Sequence, residues 1–146
     1  MLNGIIHAHS GFRWIVLLLL VAATFKALLK WRSNAPFTEA DGKLNFFTML
    51  SAHLQLLLGL TLYFISDKVA FSGDTMKVAL TRFFTAEHSL IMVLAIALIT
   101  IGYTKTKKAT EENLKFKTTF QYYFAALVLV LVGIPWPFRG FGSAWF

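Results

Sequence analysis

Long apolar runs separated by short polar stretches dominate the chain. Four runs cover residues 5–25, 46–65, 82–103 and 116–134. Each is close to the roughly 20 apolar residues that one helix needs to cross a bilayer. The runs are continuous rather than alternating, and isolated strands in lipid cannot satisfy their backbone hydrogen bonds. The pattern therefore predicts an all-α, four-helix transmembrane bundle that forms one integral membrane domain over residues 1–146.

The polar stretches between the runs have the composition of connections. Residues 33–43 and 66–77 contain Asn, Asp, Gly, Pro and Ser, which form turns and helix caps. Thr110 precedes two glutamates, as is typical of a helix start. Pro135 and Pro137 end the fourth helix because proline lacks a backbone N–H. The four predicted helices therefore follow one another through short loops.

Basic residues are distributed unevenly between the two sides of the predicted membrane domain. Four lie at the side of the chain termini: Lys68, Lys77, Arg82 and Arg139. Nine lie at the other side: Lys26, Lys30, Arg32, Lys43, Lys105, Lys107, Lys108, Lys115 and Lys117. The positive-inside rule predicts that the richer side is cytoplasmic and that both termini face outward. Because the +7 net charge has this distribution, no nucleic-acid partner is expected.

Composition narrows the chemistry that the bundle can carry. Only 14% of the residues are charged, against about 25% in soluble domains. Cysteine is absent, which excludes disulfides and thiolate metal sites and leaves histidine as the strongest ligand. The sequence contains no nucleophile and base at a recognisable spacing, and it contains no glycine-rich phosphate loop. Nothing in it therefore indicates a hydrolase.

Polar residues inside the apolar runs are the candidates for function, since such groups are costly in lipid and face the bundle interior. His9 and Arg13 are four residues apart, on one face of the first helix, at the depth of Glu87 and His88 on the third. We expect Arg13 to pair with Glu87, as an ion pair or a proton relay, while His9 approaches His88. His53 lies deeper, and either approaches His88 or belongs to a separate polar site.

Two imidazoles on facing helices are the minimum that holds a b-type haem. The candidate haem ligands are His9, His53 and His88. Arg82 and Arg139, at the outward mouth, are candidate partners of the haem propionates, as is Lys68. The prediction is a haem b protein that transfers electrons between a quinol in the lipid bilayer and a respiratory partner on the outward side.

Two other interpretations remain open. A membrane histidine also joins neighbouring helices by hydrogen bonds, as expected in a non-redox scaffold or accessory subunit of an envelope complex. Alternatively, His9, His53, His88 and Glu87 form a non-haem metal site or a proton site. A homodimer is compatible with each interpretation.

Four motifs carry a resemblance that covers nearly the whole chain. They are His9-Ser-Gly-Phe-Arg13-Trp14, Ala52-His53-Leu-Gln55, Arg82-Phe-Phe-Thr-Ala-Glu87-His88 and Ile134-Pro-Trp-Pro-Phe-Arg139. With them the chain resembles small four-helix inner-membrane proteins of Bacteroidota-type bacteria that are labelled cytochrome b-like. That resemblance implies haem.

The chain is also loosely similar to one four-helix half of haem A synthase. That family has Glu-x-x-His-Arg on its first helix, whereas this chain has His9-x-x-x-Arg13. Haem-oxidising activity is therefore not carried over. The resemblance implies only haem ligation by His9, His53 and His88.

Overall fold

The computed structural model describes residues 2–141 and residue 145, and all regular secondary structure in this part of the chain is helical. The four long helices are α1 (Leu2–Arg32), α2 (Glu39–Ile65), α3 (Ala79–Lys108) and α4 (Glu112–Gly133). A π-helical turn, Phe83–Glu87, interrupts α3, and a 3₁₀ turn, Pro137–Arg139, follows α4. The described part of the chain is therefore of the predicted all-α class, and all four long helices are long and apolar enough to cross a membrane.

The helices form a closed square. α1 packs against α2 and α4, and α3 packs against the same two helices. The connections between consecutive helices are short, so neighbours run antiparallel. The pairs α1–α3 and α2–α4 therefore face each other across the diagonals. We call the end that holds Leu2, residues 66–78 and residues 137–141 the terminal end, and the opposite end, rich in lysine, the basic end.

Apolar side chains cover both the inside and the outside of the bundle. Leu20, Ile99 and Tyr123 are fully buried in the core. On the outer surface, Leu18 is 72% exposed and Phe64 is 77% exposed. A helix that is apolar on all sides is typical of a membrane span, where lipid solvates the outer face.

The helices extend further at the basic end than the apolar runs predicted. α1 continues to Arg32 rather than ending at residue 25, and α2 begins at Glu39 rather than at residue 46. The hydropathy pattern detects only the part of a helix that is apolar. Asp41 explains the extension, because its carboxylate accepts hydrogen bonds from the Thr38 backbone N–H and from Lys30.

The basic end contains a buried polar cluster that the sequence analysis did not anticipate. Asp41 is 3% exposed and forms ion pairs with Lys26 (2.9 Å) and Lys30 (2.6 Å) of α1. One turn further into the bundle, the Asn45 amide donates to the Thr119 hydroxyl on α4 at 3.1 Å. These contacts join α1, α2 and α4 at the basic end.

Candidate functional site

The structure places the rings of His9 and His88 next to each other inside the terminal half of the bundle. Their ring centroids are 6.4 Å apart, and the ring planes are inclined at 77°. His9 belongs to α1 and His88 to α3, so the two side chains meet across a diagonal of the square. Both residues are partly buried. This pair is the centre of the candidate site.

A backbone carbonyl orients the ring of His88. Its Nδ1 atom lies 2.8 Å from the carbonyl oxygen of Gly133, the last residue of α4. A carbonyl can only accept, so Nδ1 carries the proton and donates. In the neutral ring, Nε2 is then the nitrogen with a free lone pair. This arrangement is the usual support of a metal-binding histidine.

The π-helical turn Phe83–Glu87 leads directly into His88. The His88 backbone N–H donates to the Phe83 carbonyl five residues earlier, and the Ser89 hydroxyl donates to the Phe84 carbonyl at 2.8 Å. A turn of this kind adds a residue and rotates everything that follows it, and such turns occur frequently at functional sites. The apolar pattern of residues 82–103 contains no signal for it.

The ring of His9 lies against α2. The side-chain amide of Gln55 donates to the His9 backbone carbonyl at 2.9 Å, and its Nε2 atom is 3.5 Å from Nε2 of the ring. A Cβ atom on Gly59 would stand 3.2 Å from Cε1 of the ring. The Nδ1 atom of His9 is buried and has no hydrogen-bond partner among residues 2–141 and 145. One polar atom of the pair is thus left for a ligand.

The His9–His88 pair supplies two imidazole side chains, which is the donor chemistry that haem iron accepts. His88 offers its Nε2 atom, and His9 offers a ring nitrogen without a protein partner. Neutral imidazoles of this kind ligate haem iron.

The structure does not support the metal site built from four residues. Within the described part of the chain, no group of three or more His, Asp or Glu side chains lies close enough to hold a metal ion. The alternative in which His9, His88 and Glu87, with or without His53, bind a non-haem metal thus finds no assembled ligand group among the described residues. Two histidines alone do not fill the coordination shell of a structural zinc ion.

His53 lies apart from the pair, between α2 and α3. Its Nδ1 atom is 2.8 Å from the carbonyl oxygen of Met49, and its Nε2 atom is 3.4 Å from the hydroxyl of Thr100. Both ring nitrogens thus have neighbours within the protein. Of the three candidate haem ligands, the structure brings together His9 and His88 and separates His53 from them.

Glu87 has a different partner from the one expected. Its carboxylate accepts a hydrogen bond from Arg82 Nε at 2.7 Å, whereas the Arg13 guanidinium donates to the Trp145 carbonyl at 2.8 Å. The expected Arg13–Glu87 ion pair is therefore corrected to Arg82–Glu87. The π-helical turn is the physical reason, because its wider turn places residues five apart on one face.

Two of the three candidate propionate partners, Arg82 and Arg139, form contacts with the protein itself. Arg82 holds Glu87, and both side chains are about two-fifths exposed. Arg139 donates to the carbonyls of Val132 (2.8 Å) and Ile134 (3.2 Å), and its guanidinium lies over the Phe83 ring. Since Phe83 also contacts the His88 ring, Arg139 is separated from the histidine pair by one aromatic layer.

Two aromatic residues that follow α4 in the chain, Phe141 and Trp145, pack at the terminal end of the bundle. Phe141 stacks on Phe83 with ring centroids 4.2 Å apart, and the Trp145 ring stacks on Trp14 at 6.3 Å. The Trp14 indole N–H also donates to the Trp145 carbonyl at 2.8 Å. Phe141 and Trp145 therefore lie against side chains of α3 and α1 at the terminal end.

No protein-family model, curated protein or solved structure matches the chain. The main feature of the bundle that bears on function is a pair of histidines that meet across a diagonal, each in contact with a different neighbouring helix.

Proposed function

We propose that the chain is a membrane b-type haem protein in which His9 and His88 are the two axial ligands. The observation that carries the proposal is the 6.4 Å separation of the two ring centroids inside an apolar bundle. The fixed Nδ1–H of His88 and the unpartnered Nδ1 of His9 support it. When bound, such a haem supplies one-electron transfer.

The residues around the histidine pair would influence the reduction potential of the bound haem. Gly133 fixes the tautomer of His88, and Phe83 and Phe84 exclude water from its ring. Arg139 places a positive charge on the far side of the Phe83 ring. This charge would favour the reduced haem over the oxidised haem, because the reduced haem carries less positive charge. We infer an electron carrier that takes electrons from a quinol in the bilayer and passes them to a respiratory partner.

The proposed location is the bacterial inner membrane, with both termini outward. The charge asymmetry between the two ends of the bundle supports this orientation: nine basic residues belong to the basic end and four to the terminal end. The histidine pair would then lie in the outward half of the membrane. Electrons would leave toward a partner on that side.

An absorption spectrum of the protein purified from a haem-replete host tests the proposal. We expect a Soret band and the spectrum of a low-spin, bis-histidine haem. His9→Ala and His88→Ala should each abolish that spectrum. Exposed His7 and the separate His53 provide matched controls, and His7→Ala and His53→Ala should retain it. A colourless wild-type protein, or one whose spectrum survives His88→Ala, would contradict the proposal.

A second candidate function is a non-redox scaffold of an envelope complex. The hydrogen bonds by which Gln55, His53 and His88 join neighbouring helices favour it, because such bonds stabilise bundles without any cofactor. It predicts a colourless protein that native mass spectrometry of mildly solubilised membranes finds bound stoichiometrically to another protein. A coloured chain isolated alone would contradict it.

A further inference from the structure

Three aromatic rings stack on the outside of the bundle, where α1 packs against α4 at the basic end. The ring centroids of Trp31 and Phe120 are 5.9 Å apart, and those of Phe120 and Phe124 are 5.5 Å apart. Trp31 and Phe120 are partly exposed, and Phe124 is 48% exposed. We name these three residues the aromatic stack. In a bundle that spans a membrane, such an exposed apolar surface is solvated by lipid.

Lys117 lies on the same face of α4 as the aromatic stack. It precedes Phe120 by three residues and follows Asn113 by four, so the three side chains share one face of the helix. Both neighbours contact Trp31 of α1: the Phe120 ring packs on its ring, and the Asn113 amide donates to its carbonyl at 3.3 Å. The exposed Lys117 therefore lies where α1 meets α4, one turn closer to the basic end than Phe120.

Arg32 is a second exposed cation at this junction, since it follows Trp31 directly at the end of α1. Within residues 2–141 and 145, the side chains of Arg32 and Lys117 form no ion pair, hydrogen bond or ring contact. Five other basic residues at the same end already contact a carboxylate or an aromatic ring: Lys26, Lys30, Lys43, Lys105 and Lys115. The charges of Arg32 and Lys117 are thus available to an anion from outside the chain.

The charge of the whole basic end favours an anionic ligand over a zwitterionic one. Its nine basic residues outnumber its four acidic residues, which are Glu39, Asp41, Glu111 and Glu112. Basic clusters at the ends of membrane helices attract anionic lipids, and basic pockets between helices bind their head groups. A zwitterionic head group carries its own ammonium ion, which cancels most of this attraction.

We propose that the junction of α1 and α4 at the basic end binds one anionic phospholipid. Lys117 and Arg32 bind its phosphate, because arginine donates two parallel hydrogen bonds to a phosphate and lysine adds a compact charge. The aromatic stack contacts an acyl chain, and Val128, one turn deeper than Phe124 and 44% exposed, continues the apolar surface. The site does not depend on haem, so its failure and the failure of the haem function are separate results.

Native mass spectrometry of the delipidated wild-type protein in detergent is the first test. We expect phosphatidylglycerol to bind with one lipid per chain and more tightly than phosphatidylethanolamine of the same acyl chains. Equal affinities for the two lipids would overturn the proposal. An excess of inorganic phosphate should not displace the bound phosphatidylglycerol. Complete displacement by phosphate would overturn a lipid as the occupant, because the aromatic stack would then contribute nothing.

Two charge variants locate the head group. Arg32→Gln and Lys117→Gln should each weaken the binding of phosphatidylglycerol roughly fivefold and leave that of phosphatidylethanolamine unchanged. Lys108→Gln is the matched control, since it removes the same charge from an exposed position at the same end, on α3. It should not change the affinity. If Lys108→Gln weakens binding as much as Lys117→Gln, the lipid follows the overall charge and the proposed site is wrong.

An aromatic variant locates the acyl chain. Phe124→Ala should weaken the binding of phosphatidylglycerol, whereas Phe64→Ala, which removes a 77% exposed ring at the other end of the bundle, should not. An unchanged affinity in Phe124→Ala would overturn the contact with the aromatic stack. All the substituted side chains are exposed, so we expect the variants to fold. If one does not, the preference of the wild type for phosphatidylglycerol decides the question.

Discussion

The Nδ1 atom of His88 and the carbonyl oxygen of Gly133 are 2.8 Å apart, so the last residue of α4 orients a ring on α3. Gly133 also allows α3 and α4 to pack closely against each other. A Cβ at this position would stand 2.6 Å from Met92 Cε and 2.7 Å from Ile91 Cγ2. One residue thus combines close helix packing with the orientation of a site residue.

Gly133→Ala should therefore destabilise the bundle. The added methyl group meets two side chains of α3, and overpacking of this kind costs about 1–3 kcal/mol. We expect a lower free energy of unfolding in mixed detergent micelles and a weaker Soret band, because His88 shifts with α4. Gly11→Ala, in open space on α1, should not lower the stability. A Gly133→Ala protein as stable as the wild type would argue against the close α3–α4 packing.

Asp41 should contribute more to stability than any exposed carboxylate on the same helix. Asp41→Asn removes the negative charge that Lys26 and Lys30 share. The carboxylate is buried but both lysines are partly solvated, so we expect a loss of about 2 kcal/mol. Glu39→Gln is the matched control, since the exposed Glu39–Lys43 pair should contribute less than about 0.5 kcal/mol. Chemical unfolding of both variants measures the difference, and equal losses would contradict the prediction.

The contact of Trp14 with Trp145 should protect the segment after α4 from proteolysis. Trp14→Phe retains the aromatic stacking but removes the indole N–H that donates to the Trp145 carbonyl. Loss of one such bond costs about 1 kcal/mol, which corresponds to roughly fivefold more opening. Trypsin should cleave after Arg139 faster by a similar factor, as followed by mass spectrometry.

Trp31→Phe serves as the control for that experiment. Trp31 packs on Phe120 at the basic end, far along the chain from the cleavage site. Its replacement should leave the rate of cleavage after Arg139 unchanged. Equal rates in the Trp14 variant and the wild type would mean that the indole bond does not restrain the segment.

The proposed orientation can be tested without removing any native thiol, because the chain has no cysteine. Gly73→Cys places a thiol in the exposed loop between α2 and α3, and Thr110→Cys places one in the exposed connection before α4. A membrane-impermeant maleimide added to intact spheroplasts should label the first variant only. Labelling of the second variant alone would show that the protein has the opposite orientation to the one proposed.

Sequence reasoning anticipated the convergence of His9 and His88, because depth along a helix follows directly from residue number. It did not anticipate that Glu87 pairs with Arg82, since the π-helical turn Phe83–Glu87 leaves no hydropathy signal and alters the helical spacing locally. The sequence placed His53 at a different depth in the bundle from His9 and His88, but it did not show which residues His53 contacts. The contacts of His53 with Met49 and Thr100 depend on how α2 and α3 are rotated.

By itself the sequence determined that four helices are long and apolar enough to span a bilayer, since the preference for lipid is a property of each local segment. Only the tertiary structure decided the partners of the histidines. Gly133 lies 45 residues from His88, and Gln55 lies 46 residues from His9. Contacts of that separation depend on the packing and rotation of whole helices, which no local pattern of residues specifies.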